Sequence, residues 1–243
     1  MSMHRFFISP EWIDGTSVAI QRRLVHRLRR VLRLGRGDRI TVLDNSGWEY
    51  EVQLEEVGKE SVRGVVTGKA LCTSEPATRV TLYQALLKGD RFAFVLEKGT
   101  EVGVAAFVPM LCQRGVADAP QGGKAGRWER IITEAAEQSR RGRLPALHPL
   151  VSFAEACRTS QGLSLLPWEE ESESSLRSAL RANKADSINI FIGPEGGFTP
   201  EEVELACAHG VVPVTLGRRI LRAETAGLVA AAAVLYERGD LGR

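Results

Sequence analysis

A chain of 243 residues, 44% of them hydrophobic, can bury a core large enough for one big domain or two small ones. With 32 Lys+Arg against 30 Asp+Glu the net charge is only +2, so any affinity for a polyanion must come from where the charges sit. No stretch approaches the ~18 apolar residues of a membrane span, and the opening MSMHRFFISPEW lacks a charged segment followed by an apolar run.

These features predict a soluble, cytoplasmic protein. Cys72, Cys112, Cys157 and Cys207 lie far apart with no CxxC pair, His4, His26, His148 and His209 are equally scattered, and HExxH is missing. Reduced thiols and no metal are expected.

In chain order, the apolar residues Leu24, Val25, Leu28, Val31 and Leu32 between Gly15 and Leu34 follow helical spacing, with Arg22, Arg23, Arg27, Arg30 and Arg33 opposite them. Such a face is either simply solvated or in contact with phosphate, and the near absence of acids favours phosphate. Strand-like runs come next at Arg39 to Asp44, Trp48 to Leu54 and Ser61 to Thr67, separated by turn signals at Asp44-Asn45-Ser46-Gly47 and around Gly58-Lys59. Short, closely spaced strands with one helix predict a small β-barrel. Polar residues and Pro76 then break the pattern, placing a domain boundary between residues 73 and 74.

Beyond it, strands and helices alternate. Strands are predicted at Val80 to Leu86, Phe107 to Leu111, Leu163 to Leu166, Ile188 to Ile192 and Val211 to Leu216. Helices are predicted at Arg91 to Glu101, Arg127 to Arg141, Glu169 to Leu180, Pro200 to His209 and Glu224 to Arg238, with a Gly-rich loop over Gln113 to Gly126. This alternation is the signature of an α/β domain with a mostly parallel sheet covered on both faces.

Two segments could carry chemistry. In the first, Gly193-Pro194-Glu195-Gly196-Gly197-Phe198 leads from a strand into a helix opened by Thr199, Pro200 and Glu202, the pattern of a capping box. Its glycines allow a ligand to approach the backbone, although a plain tight turn would use them too. In the second, Leu216-Gly217-Arg218-Arg219-Ile220-Leu221-Arg222-Ala223-Glu224-Thr225 mixes apolar and charged side chains in a way that suits a flat ring with charged ends. Arginines at the positive end of a helix are locally unfavourable, and that conflict points toward function. Other nucleotide motifs fail: GPEGGF is not GxGxxG, and Gly123-Lys124 has Ala125 where a P-loop needs Ser or Thr and Asp118 where it needs Gly.

With both segments in hand, the chain resembles the bacterial 16S ribosomal RNA uridine N3-methyltransferases of the SPOUT class. The resemblance runs from His4-Arg5-Phe6-Phe7 and the stretch from His26 to Gly37-Asp38, through Lys88-Gly89, Leu96 to Val104 and Glu134 to Arg141 with Leu144-Pro145, to GPEGGF and LGRRILRAETA. Val102 replaces the family's usual Leu, and Ala223 stands where many relatives have Thr.

The resemblance implies a PUA-like RNA-binding β-barrel over residues 1–73 and a SPOUT domain with a C-terminal trefoil knot over 74–243. It also implies a homodimer, S-adenosylmethionine as methyl donor and the 16S ribosomal RNA of the small subunit as substrate. Carried over residue by residue, the donor pocket would use Leu166, Gly193, Glu195, Gly196, Gly197, Leu216, Gly217, Ile220, Leu221 and Arg222.

Methyl transfer to a uridine N3 needs alignment, exclusion of water and an acceptor for the N3 proton. Arg222 is expected to stabilise the developing oxyanion and Glu224 to act as base or to orient Arg222, with a structural ion pair as the alternative for both. Arg5, Arg22, Arg23, Arg33, Gln138 and Arg141 are the candidate RNA contacts. Two rival readings stay open: an RNA-binding assembly factor without catalysis, and a SPOUT enzyme acting on transfer RNA or another ribosomal site.

Overall fold

The computed structural model describes residues 3–21, 23–116 and 124–242. The chain divides into two compact units, one of Met1–Glu75 with Ala136–Leu144, the other of Pro76–Ala135 with Pro145–Arg243.

The first unit comprises β1 (Arg5–Phe7), a single 3-10 turn at Pro10–Trp12, β2 (Ile13–Asp14), β3 (Ser17–Gln21), α1 (Arg23–His26) continuing as a π-helical turn over Arg27–Val31, β4 (Arg39–Leu43), β5 (Trp48–Val57) and β6 (Ser61–Leu71). The strands form one sheet in the order β1-β4-β5-β6-β3-β2, antiparallel except for β1 beside β4. Register shifts on β5 between Glu51 and Val52 and between Leu54 and Glu56 bend the sheet. It curls around Phe6, Val18, Ile20, Leu28, Ile40, Val42, Val52, Leu54 and Val62. Among the described residues no ladder joins β1 to β2, so hydrogen bonding leaves the sheet open.

The helix expected from Gly15 onward begins only at Arg23. Ser-Val-Ala-Ile-Gln has period 2, burying Val18 and Ile20 and turning Ser17 and Gln21 outward, and Gly15 at φ +58° makes the two-residue hairpin that pairs Asp14 with Ser17. In the helix itself Val25 and Leu28 are buried, while Val31, expected on the apolar face, is 65% exposed.

In the second unit lie β7 (Arg79–Ala85), α2 (Arg91–Val102), β8 (Ala106–Leu111), α3 (Lys124–Gln138, from Ala136 on part of the first unit), β9 (Ala146–Leu147), β10 (Val151–Ser152), α4 (Phe153–Thr159), β11 (Leu163–Pro167), α5 (Leu176–Ala182), β12 (Ser187–Ile192), α6 (Pro200–Ala208), β13 (Val212–Val214) and α7 (Ala223–Arg238). The sheet order is β10-β8-β7-β12-β11-β13, with β9 beside β8, and every pairing is parallel. One face carries α2, α5 and α7 over a core that includes Leu82, Leu96, Phe107, Leu165, Ile190 and Val234. The other carries α4 and α6 over Tyr83, Met110, Phe153, Phe191 and Phe198, in which the Tyr83 and Phe191 rings stack at 4.4 Å. Both faces are therefore covered, as strands this apolar require.

Two local readings change here. The helix expected from Glu169 starts at Leu176, because the Glu171 carboxylate accepts from the Glu173 and Ser174 amides and makes a turn, after which Ser175 caps α5. The short helix α4, capped by Ser152, has too few residues to show a periodic face in the sequence. Part of the Gly-rich loop expected over Gln113 to Gly126 lies outside the described residues, as does Arg22. Among the described residues no helix is long and apolar enough to cross a membrane.

Candidate functional site

Parallel strands bring their carboxyl ends to one edge of the sheet, where ligands bind in open α/β folds. The segments leaving β11, β12 and β13 at that edge line one cavity of about 960 Å³ within the second unit.

The segment after β12 is anchored from behind. Thr199 and Glu202 form the predicted capping box: Thr199 Oγ1 accepts from the Glu202 amide at 3.2 Å, and Glu202 Oε2 accepts from the Thr199 amide at 3.0 Å. The other oxygen of Glu202, a residue only 3% exposed, accepts from the Gln113 amide at 2.8 Å. Phe198 is buried against Phe153 at 5.1 Å. Gly197 has φ +69°, and a side chain there would run into the Glu169 carboxylate from the β11 segment. The positive φ is what favours glycine here, since the exposed Glu169 side chain could swing aside.

The segment after β13 is held mainly at its ends. Thr215 exchanges backbone bonds with the segment before α5, donating to Ser174 O at 2.8 Å and accepting from the Leu176 amide at 3.2 Å. At the far end Arg222 O accepts from the Thr225 and Ala226 amides as α7 begins. Between them Gly217, at φ +106°, and Arg218 to Ile220 are exposed, Ile220 by 88%.

Three charged side chains meet in the cavity wall. Arg91, the first residue of α2, places Nη1 2.9 Å from Glu195 Oε1 and Nε 3.9 Å from Glu224 Oε1. The Lys88 amide donates to the same Glu195 oxygen at 3.2 Å. The Glu224 side chain is 14% exposed, and its Oε2 is buried without a hydrogen-bond partner, as is the indole nitrogen of Trp168. Buried polar atoms are nearly always paired, so two orphans beside one cavity mark an environment suited to a polar ligand.

Of the residues singled out in the sequence, Gly193, Glu195, Gly197, Leu216, Gly217, Ile220, Leu221, Arg222 and Glu224 line this cavity. Leu166 does not: it is fully buried in the core beneath, and the lining starts at the next residue, Pro167. Gly196 turns away, its carbonyl accepting from Arg114 Nη1 at 3.1 Å. Sequence reasoning missed Arg91, Trp168, Glu169 and Glu171. The signal for Arg91 was a cation at the first position of a helix; for the other three it was an acidic, aromatic segment at a strand's carboxyl end.

In the first unit Arg5 pairs with Glu49 at 2.7 Å beside a shallow hollow of about 430 Å³ that Lys69 and Arg140 also line. Lys69 Nζ lies over the rings of Trp48 and Tyr50 at 4.6 and 5.0 Å. Arg23, Arg33 and Gln138 are exposed. Arg141, expected at RNA, is 4% exposed and bound by Glu75 at 2.8 Å, which also accepts from the Gly142 and Arg143 amides. Its charge is committed to Glu75 inside the unit. Arg27 likewise pairs with Glu137 at 2.7 Å and covers the Phe6 ring.

Burial raises the Cys112 thiol far above its ordinary range and pushes Cys157 up to about 12, with the Glu202 carboxylate adding to both. Neither is a nucleophile at neutral pH. Among the described residues no group of three or more His, Cys, Asp or Glu is placed to hold a metal ion.

Comparison with known proteins agrees with this geometry. Residues 73–235 match the family model of an RNA methyltransferase domain, and residues 23–67 that of an RNA methyltransferase PUA domain. The chain is 37% identical over 235 residues to the ribosomal RNA small subunit methyltransferase E of Synechocystis, covering 95% of this chain and 77% of that one. It is 34% identical over 255 residues to the Bacillus subtilis protein of the same name, covering 98% of this chain and 100% of that one. A crystal structure of the Neisseria gonorrhoeae ribosomal RNA small subunit methyltransferase E bound to S-adenosylmethionine superposes with a TM-score of 0.88 at 30% identity, covering 97% of this chain and 98% of that one. The chain therefore belongs to the RNA methyltransferase family of the ribosomal RNA small subunit methyltransferases E.

Proposed function

We propose that this protein transfers a methyl group from S-adenosylmethionine to N3 of a uridine in the 16S ribosomal RNA of the small subunit. The observation that carries the reading is the convergence of the two glycine-bearing segments, after β12 and after β13, on one cavity of about 960 Å³.

The residues there fit the donor. The volume suits a nucleoside-sized ligand, Gly193, Gly197 and Gly217 leave backbone accessible, and Leu216, Ile220 and Leu221 offer apolar surface for a ring. Glu195 and Glu224 supply negative charge for a cationic ligand. The bound donor provides an electrophilic methyl group on a sulfonium.

The chain's own part is to align and to manage charge. Arg222, exposed at the cavity and preceding the first residue of α7, stabilises negative charge as it develops on the uracil oxygen. Glu224, in the first turn of the same helix, accepts the N3 proton. Leu166 contributes from below by fixing the end of β11, and Gly196 by its bond to Arg114.

The wider assignment rests on the same reading. Residues 1–73 act as a PUA-like RNA-binding barrel, with Arg5, Arg22, Arg23, Arg33 and Gln138 at the RNA. Residues 74–243 form a SPOUT domain with a C-terminal trefoil knot. The enzyme works in the cytoplasm as a homodimer that completes the active site across its interface.

The test is to titrate S-adenosylmethionine into purified protein by calorimetry and then assay methylation of small-subunit RNA. Wild type binds and transfers, whereas Arg222→Ala binds and does not transfer. Absence of donor binding in the wild type would favour an assembly factor, and modification of transfer RNA alone would move the substrate elsewhere.

A further inference from the structure

Arg91 is a cation at the positive end of a helix, preceded by Asp90, whose side chain makes no capping bond. The cation is locally unfavourable there, whereas Asp90 suits that end of the helix and pairs with Arg127 at 2.9 Å; a residue that breaks a local rule at a cavity wall invites a functional explanation. The guanidinium reaches carboxylates from two other elements: Glu195 in the segment after β12, at 2.9 Å, and Glu224 in the first turn of α7, at 3.9 Å. One side chain thus ties together both walls of the donor cavity. Of the two oxygens of Glu224, one faces Arg91 Nε at 3.9 Å, an ion pair longer than a hydrogen bond, and the other is buried with no partner.

We propose that Arg91 is a positioning residue for methyl transfer. Hydrogen-bonded to Glu195 and attracting one oxygen of Glu224 by charge across 3.9 Å, it orients the Glu224 carboxylate so that its second oxygen accepts the uridine N3 proton. The inference rests on the function proposed above and adds a residue that lies outside both glycine-bearing segments. In the step it serves, the N3 proton passes to Glu224, the freed electron pair on N3 forms the bond to the methyl carbon, and the pair of the broken carbon–sulfur bond returns to sulfur. A lysine would not substitute, because a single ammonium point charge lacks the fork that meets two carboxylates from different directions. The Arg91 side chain is 45% exposed, so removing it leaves the core intact.

The experiment compares wild type, Arg91→Ala, Arg91→Gln and Arg91→Lys in single-turnover methylation of small-subunit RNA, with donor affinity measured separately. With the donor saturating for each variant, so that any change in donor Kd is taken out of the comparison, all three variants should lose about 10- to 100-fold in the transfer rate, the scale of a disturbed general base. Guanidinium chloride at low concentration should restore part of the Arg91→Ala rate, and sodium chloride at equal ionic strength should not. Wild-type transfer rates in Arg91→Ala and Arg91→Gln would overturn the proposal. So would full activity in Arg91→Lys, or a loss explained entirely by weaker donor binding. If wild type itself transfers no methyl group, the failure belongs to the proposed function and not to Arg91.

Discussion

The two segments that face each other across the cavity are built in opposite ways. The one after β12 is backed by Phe198, Thr199 and Glu202, all buried, with both oxygens of Glu202 accepting backbone amides. The one after β13 is pinned at Thr215 and Arg222, while Gly217 to Ile220 stand exposed between them. A wall fixed before the ligand arrives supplies precision, and a wall with few contacts of its own can close on the ligand and open for release. The site thus divides its labour between a rigid side and an adaptable one.

The contrast breaks most severely at the anchor. Glu202→Ala leaves the Thr199 and Gln113 amides without their acceptor and should cost about 3 kcal/mol, the scale of two charge-assisted bonds lost from a buried place. Chemical denaturation measures it, and a loss within error of zero would mean that the segment is not held this way. Because desolvation raises the thiols of half-buried Cys112 and buried Cys157 above their ordinary value, they stay protonated in the folded protein. The stability they contribute is full below the unfolded thiol value and declines as pH rises above it toward about 12 for Cys157. Alkylation at neutral pH should therefore label exposed Cys207 and spare both.

Next in size is Gly197→Ala. A φ of +69° costs an alanine about 1–2 kcal/mol, and the new methyl group must displace Glu169 from the opposite segment. Donor affinity should fall along with stability. Preserved affinity in a destabilised variant would show that the Gly197 turn matters for folding alone.

Much of this contrast was legible in the sequence, and the rest was hidden for physical reasons. Thr199, Pro200 and Glu202 announced the capping box because its bonds are local in the chain. The parallel sheet was readable from apolar runs alternating with amphipathic ones. Ser17–Gln21 was misread because five residues bordering a helix carry too little periodicity to separate a strand from an extension of that helix. Arg91 and Trp168 were invisible as site residues because they reach the cavity by tertiary placement, 104 residues from Glu195 in the case of Arg91. Arg141 resembled a surface arginine until Glu75, 66 positions away, enclosed it.

Hydrogen exchange compares the two walls directly. On addition of S-adenosylmethionine, amides over 216–222 should slow, whereas those over 198–203, protected already by the capping box and α6, should change little. Equal slowing in both would indicate that the anchored side also orders on binding, and the distinction between the walls would fail.

The smallest effect is expected at Ile220. An apolar side chain 88% exposed has almost nothing to lose on truncation, so Ile220→Ala should shift stability by no more than about 0.5 kcal/mol. If the segment closes over the donor, though, the same side chain gains cover only in the bound state. Each methylene removed then costs about 0.8 kcal/mol of binding, or roughly fourfold in Kd per group. A variant with unaltered denaturation but weaker donor binding would therefore place Ile220 on the closing wall. Unaltered affinity would instead leave that segment open when the donor binds, with the anchored side alone gripping it.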